Sequence, residues 1–515
     1  MSSRTELAKN IGTKGRKLLV VSDMHVGRDQ KLITGFAQGR PNPAFDRAFV
    51  DLLDLYTAGK EGDWKLILAG DFIDFLEVVV VRDDRRRFLL SFDVTNEEQE
   101  FGLGTAAERV LEKLYTTLEY HQDLFARLAR FVKGGGEIVV MRGNHDVEFY
   151  WPKVQRAFRR ELASLAFRDD PAEIDDDLRR RSEFQSRVIF APWIYFEPGR
   201  IYVEHGHQYD EYCSFDHWLY PVSPTNPRMI DTPVSAFAMR FFVNMMSDYT
   251  ADHVETWGWR DYLSWAREKG PGGALYTVRM GLVAGLRIVW FAGQWTFGRV
   301  GRYNQEHKKR LVEEANRFGI DPEKLERIDN LHHLTVIRNL PELMRLLFLD
   351  RVLLAVGAMF LVFLVLLFVE RTWLELVGIG FVFAAALRAN KSMLRHRFLL
   401  PGPKQARAAD KIAETLEVPV VVMGHSHVRR NIPLPNGRTY LNTGCWLPPF
   451  PTQDHLDPQA PCTCKLSHMV LESESRPELR VFCKAQKTVR LADLPPRTEE
   501  REQRSGSLPD IPILE

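Results

Sequence analysis

Five short apolar runs along this chain each end in a motif of Asp, His or Asn residues. Three of them, residues 17–22, 65–69 and 137–141, alternate with stretches at 45–56 and 106–131 whose apolar residues recur three and four positions apart. Short apolar runs of this kind predict buried strands, and the longer period predicts amphipathic helices. The first half of the chain therefore alternates strand with helix.

Later segments extend the same sheet system. Runs at 201–204 and 418–423 resemble the first three, and β-type segments at 438–442, 466–472 and 478–483 follow them. Strands that alternate with helices form layered domains in which the sheet is covered by helices. We therefore expect an α/β fold.

The polar motifs predict a metal site. They are Asp23-Met24-His25, Gly70-Asp71-Phe72-Ile73-Asp74, Gly143-Asn144-His145-Asp146, His205-Gly206-His207 and Gly424-His425-Ser426-His427. Carboxylate, imidazole and amide groups suit Mn²⁺, Fe, Zn²⁺ or Ni²⁺. Strand ends gather their loops along one edge of an α/β sheet, and two metals about 3.5–4 Å apart can clamp a phosphate. Each motif alone is weakly or moderately specific, so the prediction depends on their joint occurrence in this order.

The set and its order resemble the calcineurin-like metallophosphoesterase family, whose pattern is DxH, GDxxD, GNH[D/E], a lone His and GHxH. The resemblance covers about residues 17–212 and 418–483. It implies a sandwich of two mixed β-sheets flanked by helices, and a phosphoester hydrolase that uses metal-activated water. Within the family, the GDFIDFLE and HGH segments look most like the branch that includes UDP-2,3-diacylglucosamine pyrophosphatase.

The resemblance also implies a role for each motif residue. It assigns the first ion to Asp23, His25 and His427, a bridging role to Asp71, and the second ion to Asn144, His205 and His425. His145 would lie near the phosphate as general acid or transition-state stabiliser, oriented by Asp74 or Asp146. Mn²⁺ is the expected metal at both sites, with Fe, Zn²⁺ or Ni²⁺ as alternatives.

A long segment interrupts the predicted domain. Residues 213–417 are aromatic-rich and helical, so we expect a discontinuous phosphoesterase domain at 15–212 and 418–490, with a disordered tail at 491–515. The insertion holds a charge-free apolar run at 352–369 and a shorter one at 373–387. The first is long enough to span a hydrocarbon core of about 30 Å. A helical hairpin in the membrane and a hairpin buried in a core or dimer interface are both compatible with this pattern.

Flanking charges predict the side of the membrane. Basic residues precede the first apolar run and follow the second, so the positive-inside rule places both ends in the cytoplasm. The N-terminal residues 1–17 are polar and basic without an apolar core, which predicts no secretory signal. We expect the protein at the cytoplasmic face of the cell membrane, held by the helical hairpin.

Several substrate classes fit the same motifs. A hairpin in the bilayer favours a phospholipid or lipid-linked diphosphate as the phosphoester substrate. A nuclease or cyclic-nucleotide phosphodiesterase is the alternative, although a formal net charge of +1 does not favour nucleic acid as a partner. A non-catalytic membrane scaffold is a further alternative. The sequence leaves the oligomeric state open.

Overall fold

The computed structural model describes most of the chain. The described residues are 15–27, 43–78, 92–170, 173–224, 226–245, 264, 267, 270–297, 301–346, 349–395, 401–447, 465–472, 476–483 and 487–492. Nearly all of the tail that we predicted to be disordered lies outside these residues.

The strands form two mixed sheets. They are β1 (Lys17–Val21), β2 (Trp64–Ala69), β3 (Glu137–Met141), β4 (Val188–Ala191), β5 (Ile194–Glu197), β6 (Ile201–Glu204), β7 (Val420–Met423), β8 (Arg430–Pro433), β9 (Thr439–Asn442), β10 (Trp446–Leu447), β11 (Lys465–Leu471), β12 (Glu478–Cys483) and β13 (Thr488–Leu491). The first sheet has the order β13-β12-β11-β1-β2-β3-β4, with β10 paired to β11. The second has the order β5-β6-β7-β9-β8.

Both sheets place parallel strands at their centre. In the first, β1 to β4 run parallel and β11 to β13 antiparallel. In the second, β6, β7 and β9 run parallel, while β5 and β8 are antiparallel edges. Parallel strands are buried on both faces and read as continuous apolar runs. This is why the predicted strands carried no polar alternation.

Alternate residues of β1 point into two different cores. Leu18 and Val20 belong to the core between the sheets, together with Tyr202 and Val421 from the second sheet. Leu19 and Val21 belong to the core between the first sheet and its helices. Side chains on a strand alternate between its faces, so one run of apolar residues serves both cores.

The helices cover the outer faces of the sheets and form the insertion. They are α1 (Pro43–Thr57), α2 (Asn96–Phe101), α3 (Ala107–Tyr120), α4 (Gln122–Lys133), α5 (Pro152–Ala166), α6 (Ile174–Ser186), α7 (Val234–Phe241), α8 (Gly270–Phe297), α9 (Gly301–Phe318), α10 (Pro322–Asp329), α11 (Leu340–Leu346), α12 (Leu349–Phe368), α13 (Thr372–Arg395) and α14 (Pro401–Leu416). The predicted α/β sandwich of two mixed sheets flanked by helices is confirmed.

The single helix predicted over 106–131 is wrong in one respect. The segment forms two helices, α3 and α4, that break at His121. Its backbone leaves the helical region at φ −106° and ψ 42°, and its ring Nδ1 lies 2.8 Å from Asp46 Oδ1 on α1. Apolar periodicity continues through such a break, because both helices turn the same kind of face to the sheet.

The insertion does not form a separate body throughout. Residues of α9, α10 and α14, such as Ala315, Leu325 and Ile412, are buried in the same core as the central strands of both sheets. The pair α12 and α13 behaves differently: Phe360 and Phe381 are 58% and 75% exposed. These two helices pack against each other, with Gly378 against Val365.

Candidate metal centre

Two of the predicted motifs lie side by side because the pairing of their strands continues past the strand ends. The backbone amide of Asp23 donates to Gly70 O at 3.1 Å, and that of His25 donates to Asp71 O at 2.9 Å. A bridge between Val26 and Ile73 follows. The loops after β1 and β2 therefore leave the sheet together, at the edge where α/β folds bind ligands.

Many of the predicted ligands have an unusual backbone conformation. Among the described residues, eight non-glycine residues have positive φ, and five of them are predicted ligands: Asp23 at 53°, His25 at 46°, Asp71 at 52°, His425 at 67° and His427 at 54°. Left-handed φ values disfavour residues with a Cβ, and they persist where the surrounding structure imposes them. Here they turn neighbouring side chains toward one centre.

Glycines in the motifs make room for ligands from other motifs. A methyl group at Gly143 would overlap the Asp71 carboxylate, and one at Gly424 would overlap the carboxylate of Asp23 and the hydroxyl of Ser22. Both carboxylates are buried. The Gly in GNH and the Gly in GHxH are thus needed for close approach by carboxylates that lie far away in the sequence.

One group of ligand atoms comes from the first and last motifs. Asp23, His25 and His427 each offer an atom within 4.8 Å of the others. His427 Nε2 lies 3.4 Å from Asp23 Oδ1 and 3.4 Å from His25 Nε2. The Nδ1 of His25 donates to Asp74 Oδ2 at 2.7 Å, which directs its Nε2 toward His427.

A second group consists of Asp71, His205 and His425, again within 4.8 Å. His205 Nε2 lies 3.1 Å from Asp71 Oδ2 and 3.3 Å from Asn144 Oδ1. Its Nδ1 donates to Ala69 O at 3.0 Å, so Nε2 is the nitrogen that faces Asp71 and Asn144. Asp71 Oδ2 also lies 3.9 Å from His25 Nε2, which places this carboxylate between the two groups.

His145 and Asp74 form a buried pair beside these groups. His145 Nδ1 lies 2.9 Å from Asp74 Oδ2, and the His145 amide donates to Asp71 Oδ1 at 2.8 Å. Burial alone would lower the pKa of His145, but the carboxylates of Asp74 and Asp71 outweigh burial and raise that pKa well above its ordinary value. The Asp74 carboxylate thus accepts a hydrogen bond from the ring of His25 and from the ring of His145.

Asp146 accepts hydrogen bonds from backbone amides rather than from the ring of His145. Its Oδ2 accepts from the amide of Phe72 at 2.8 Å, and its Oδ1 accepts from the amide of Gly143 at 2.6 Å. Of the two carboxylates predicted to orient His145, Asp74 is therefore the one in contact with the ring. Asp146 ties the loop after β2 to the loop after β3.

The residues present fit divalent cations by their chemistry. Carboxylate oxygens, imidazole nitrogens and one amide oxygen converge, and this donor set suits borderline and hard metal ions. Burial tends to raise the pKa of Asp71, yet His205, His145 and His25 hold it well below its ordinary value. A buried, ionised carboxylate between two groups of imidazoles is the arrangement that a cation pair would neutralise.

Some residues around the site gave little or no signal in the sequence. Gln405 Nε2 and Asn442 Nδ2 donate to Gly424 O at 3.1 and 2.7 Å and so fix the GHxH loop. Asp210 Oδ2 lies 3.2 Å from His425 Nε2. Gln405 belongs to an ordinary amphipathic helix, and Asn442 ends a strand. Only Asp210, five residues after His205, could have been suspected from its proximity to a motif.

A comparison with protein families agrees with the geometry. Residues 16–270 match the model of the calcineurin-like phosphoesterase family. The chain carries a calcineurin-like phosphoesterase domain. The buried His/Asp groups of this phosphoesterase are those of a metal-dependent hydrolase, so the predicted enzyme class is confirmed. Searches of the curated proteins and of the solved structures found no match.

Proposed function

We propose that this phosphoesterase is a membrane-associated, two-metal hydrolase that cleaves a phospholipid or a lipid-linked diphosphate. The observation that carries the proposal is the convergence of ligand groups from five loops that follow strands of both sheets. The same chain presents a pair of exposed apolar helices. The catalytic domain would comprise residues 15–212 and 418–490, with the insertion between them.

The proposed ligand assignment follows the two groups. Asp23, His25 and His427 would hold one ion, Asn144, His205 and His425 the other, and Asp71 would bridge both. Two ions held there would activate a water and neutralise the charge of the phosphate. Mn²⁺ is our first choice because carboxylate and amide oxygens suit it, and the imidazole nitrogens make Fe, Zn²⁺ or Ni²⁺ the alternatives.

The protein's own groups would orient and protonate the substrate. His145 donates Nδ1–H to Asp74, so its Nε2 would be the atom that transfers a proton to the leaving oxygen. Asp74 would hold the ring of His145 and that of His25 in fixed orientations. Asp146 would keep the loops of the second and third motifs in register.

The lipid substrate is proposed from the exposed helices. Within the described residues, Leu349–Phe368 and Thr372–Ser392 are long and apolar enough to cross a membrane, and none of that surface is buried in the fold. Large exposed apolar surfaces are rare on soluble monomers and mark membrane or protein contacts. A bilayer around this hairpin would bring lipid headgroups near the enzyme. The resemblance to the UDP-2,3-diacylglucosamine pyrophosphatase branch points the same way.

Charge also supports a lipid over a nucleic acid. The basic cluster on α6 is paired internally, with Arg179 at 2.7 Å from Asp176 and Arg181 at 2.7 Å from Asp177. Such a helix offers little net field to a phosphate backbone. The other basic cluster, at residues 82–87, lies outside the described residues. Basic flanks of the hairpin would keep both of its ends on the cytoplasmic face.

Hydrolysis of bis-p-nitrophenyl phosphate by the detergent-purified protein tests the catalytic proposal. We expect activity that requires Mn²⁺ or a similar ion and that disappears in the Asp71→Ala/His425→Ala variant. Asp216→Ser is a suitable control, because the Asp216 side chain faces Arg338 at 3.6 Å rather than the metal centre. Bound metal without turnover of any ester would instead favour a scaffold.

The lipid substrate needs its own experiment. Turnover of a phosphodiester embedded in vesicles is compared with turnover of a soluble phosphodiester that has the same headgroup. We expect a clear preference for the embedded ester. Equal turnover of the two would contradict the lipid proposal and leave the two-metal hydrolase intact.

A further inference from the structure

Asp210 contacts the metal centre through His425. The Asp210 Oδ2 atom lies 3.2 Å from His425 Nε2, and a carboxylate can only accept, so Nε2 carries the proton. The side chains of Asp210 and His425 are 17% and 8% exposed. Asp210 Oδ1 accepts from the Tyr212 amide at 3.0 Å, which closes a local turn.

The loop that carries Asp210 is held by the insertion. The His333 amide donates to Gln208 O at 2.8 Å, the Val336 amide donates to Glu211 O at 2.9 Å, and Lys404 forms an ion pair with Glu211. These contacts lie on both sides of Asp210 in the sequence. The position of its carboxylate thus depends on segments far from the family motifs.

In two other histidines of the site, one ring nitrogen donates a hydrogen bond and the other faces the proposed metal ligands. His25 donates Nδ1–H to Asp74, His205 donates Nδ1–H to Ala69 O, and in each case Nε2 faces the other ligands. A hydrogen bond to one ring nitrogen fixes the tautomer and directs the other nitrogen to a metal. In His425 the bonded nitrogen is Nε2, so Nδ1 is the one left with a lone pair.

We propose that Asp210 is a positioning residue that fixes His425 as a metal ligand through Nδ1, and that the insertion supports the site by holding Asp210. The inference rests on the two-metal site of the proposed function. It implies that loss of the Asp210 carboxylate lowers the affinity for the ion bound by His425, Asn144 and His205. The ion bound by Asp23, His25 and His427 is unaffected.

Mn²⁺ binding to the metal-stripped full-length protein tests this without any substrate. Isothermal titration calorimetry is run on the wild type, Asp210→Ala, Asp210→Ser and the control Asp216→Ser. Loss of a partner that orients a metal ligand typically weakens metal binding by about 10–100-fold. We expect that loss for one of two Mn²⁺ ions in both Asp210 variants, unchanged affinity for the other, and wild-type binding in Asp216→Ser.

The serine variant separates positioning from a local structural role. A serine hydroxyl can still accept from the Tyr212 amide but is too short to reach His425. Wild-type affinity in Asp210→Ser, with weak binding in Asp210→Ala, would show that the turn is what matters and would overturn the proposal. So would unchanged binding in both variants, or a third Mn²⁺ that only the Asp210 variants lose.

Failure of this inference can be told apart from failure of the proposed function. Saturating Mn²⁺ should restore the hydrolysis of bis-p-nitrophenyl phosphate in Asp210→Ser, because every proposed ligand is still present. A wild type that binds two Mn²⁺ but hydrolyses no ester, with selective weakening in the Asp210 variants, would support the positioning role and reject the activity. A wild type that binds no Mn²⁺ would reject both.

Discussion

Close packing between motifs governs the site at the scale of single residues. Two glycines lie directly against carboxylates that the sequence separates from them by many residues, and five predicted ligands adopt left-handed φ values. Such conformations cost about 1–3 kcal/mol each and are retained where function requires them. Small substitutions here should therefore disturb metal binding more than their size suggests.

Gly143→Ala tests this packing. The added methyl group meets the carboxylate and the backbone nitrogen of Asp71, neither of which can move without displacing the proposed bridging ligand. We expect Mn²⁺ affinity to fall by at least about 100-fold, measured by calorimetry. Gly301→Ala on α9 is the control, since a methyl group there meets no atom within 4 Å and Ala favours a helix. Equal Mn²⁺ affinity in the two variants would contradict the steric argument.

Substitution by Asn should lower kcat at Asp74 and stability at Asp146. Asp74→Asn weakens the hydrogen bonds to His25 and His145 but keeps an oxygen that can accept from the amides of Leu76 and Glu77. We therefore expect kcat to fall by about 10²–10⁴-fold with little change in stability. Asp146→Asn disturbs the bonds to two buried amides, so the free energy of unfolding should fall by about 1–3 kcal/mol. Steady-state kinetics and urea unfolding of both variants decide the point. A larger kcat loss in Asp146→Asn would return the orienting role to that residue.

Buried polar side chains shape individual elements beyond their apolar pattern. His121 separates α3 from α4 through its contact with Asp46, although both helices keep the predicted amphipathic period. His468 lies within the central strand β11, fully buried, with Nε2 at 3.0 Å from the hydroxyl of Tyr56. Neither contact follows from the period of the apolar residues, because each partner belongs to a distant element.

His468 should make stability depend on pH. Burial lowers the pKa of His468 to about 3, below its usual value of about 6.5 in an unfolded chain. The unfolded state then binds more protons below pH 6.5, so stability falls on acidification toward pH 3 by about 1.4 kcal/mol per pH unit. Between pH 7 and pH 5 this amounts to about 2 kcal/mol.

His468→Gln should lack this contribution. The variant should be less stable than the wild type at pH 7, since it loses ring contacts with Tyr56 and Trp446. The difference in the free energy of unfolding between the two proteins should shrink by about 2 kcal/mol at pH 5. Urea unfolding at both pH values measures it. A difference that does not change with pH would show that His468 is not neutral in the fold.

The whole molecule combines the α/β sandwich that carries the site with a large exposed apolar surface. Helices α9, α10 and α14 join the core of the sandwich, whereas α12 and α13 expose most of their apolar side chains. Burial of apolar area is worth about 25 cal/mol per Å², so a surface of this kind gains stability when something covers it. We propose that a bilayer does so.

Charges placed on the hairpin should weaken membrane binding. Met359→Glu/Phe363→Glu alters two side chains that are 65% and 57% exposed. An acidic residue at the centre of a membrane helix costs about 2.5–3.5 kcal/mol, so the variant should no longer float with phospholipid vesicles. The control Ile174→Glu/Leu178→Glu changes exposed apolar residues of α6 and should float as the wild type does. Flotation of both variants would mean that another surface binds the vesicles, and it would contradict the bilayer as the cover of the hairpin.

The sequence by itself determined the parts of this protein that local chemistry dictates. Buried parallel strands need apolar residues on both faces, and metal ligands need Asp, His and Asn at the strand ends, so the fold class, the seven proposed ligands and eight of the thirteen described strands could be predicted. The short strands β4, β5, β8, β10 and β13 were not predicted. Tertiary structure decided what depends on distant partners: the break at His121, the choice of Asp74 over Asp146 at His145, and the contact of Asp210 with His425. The physical reason is that a hydrogen bond joins atoms brought together by folding, and neither residue period nor spacing along the chain encodes that distance.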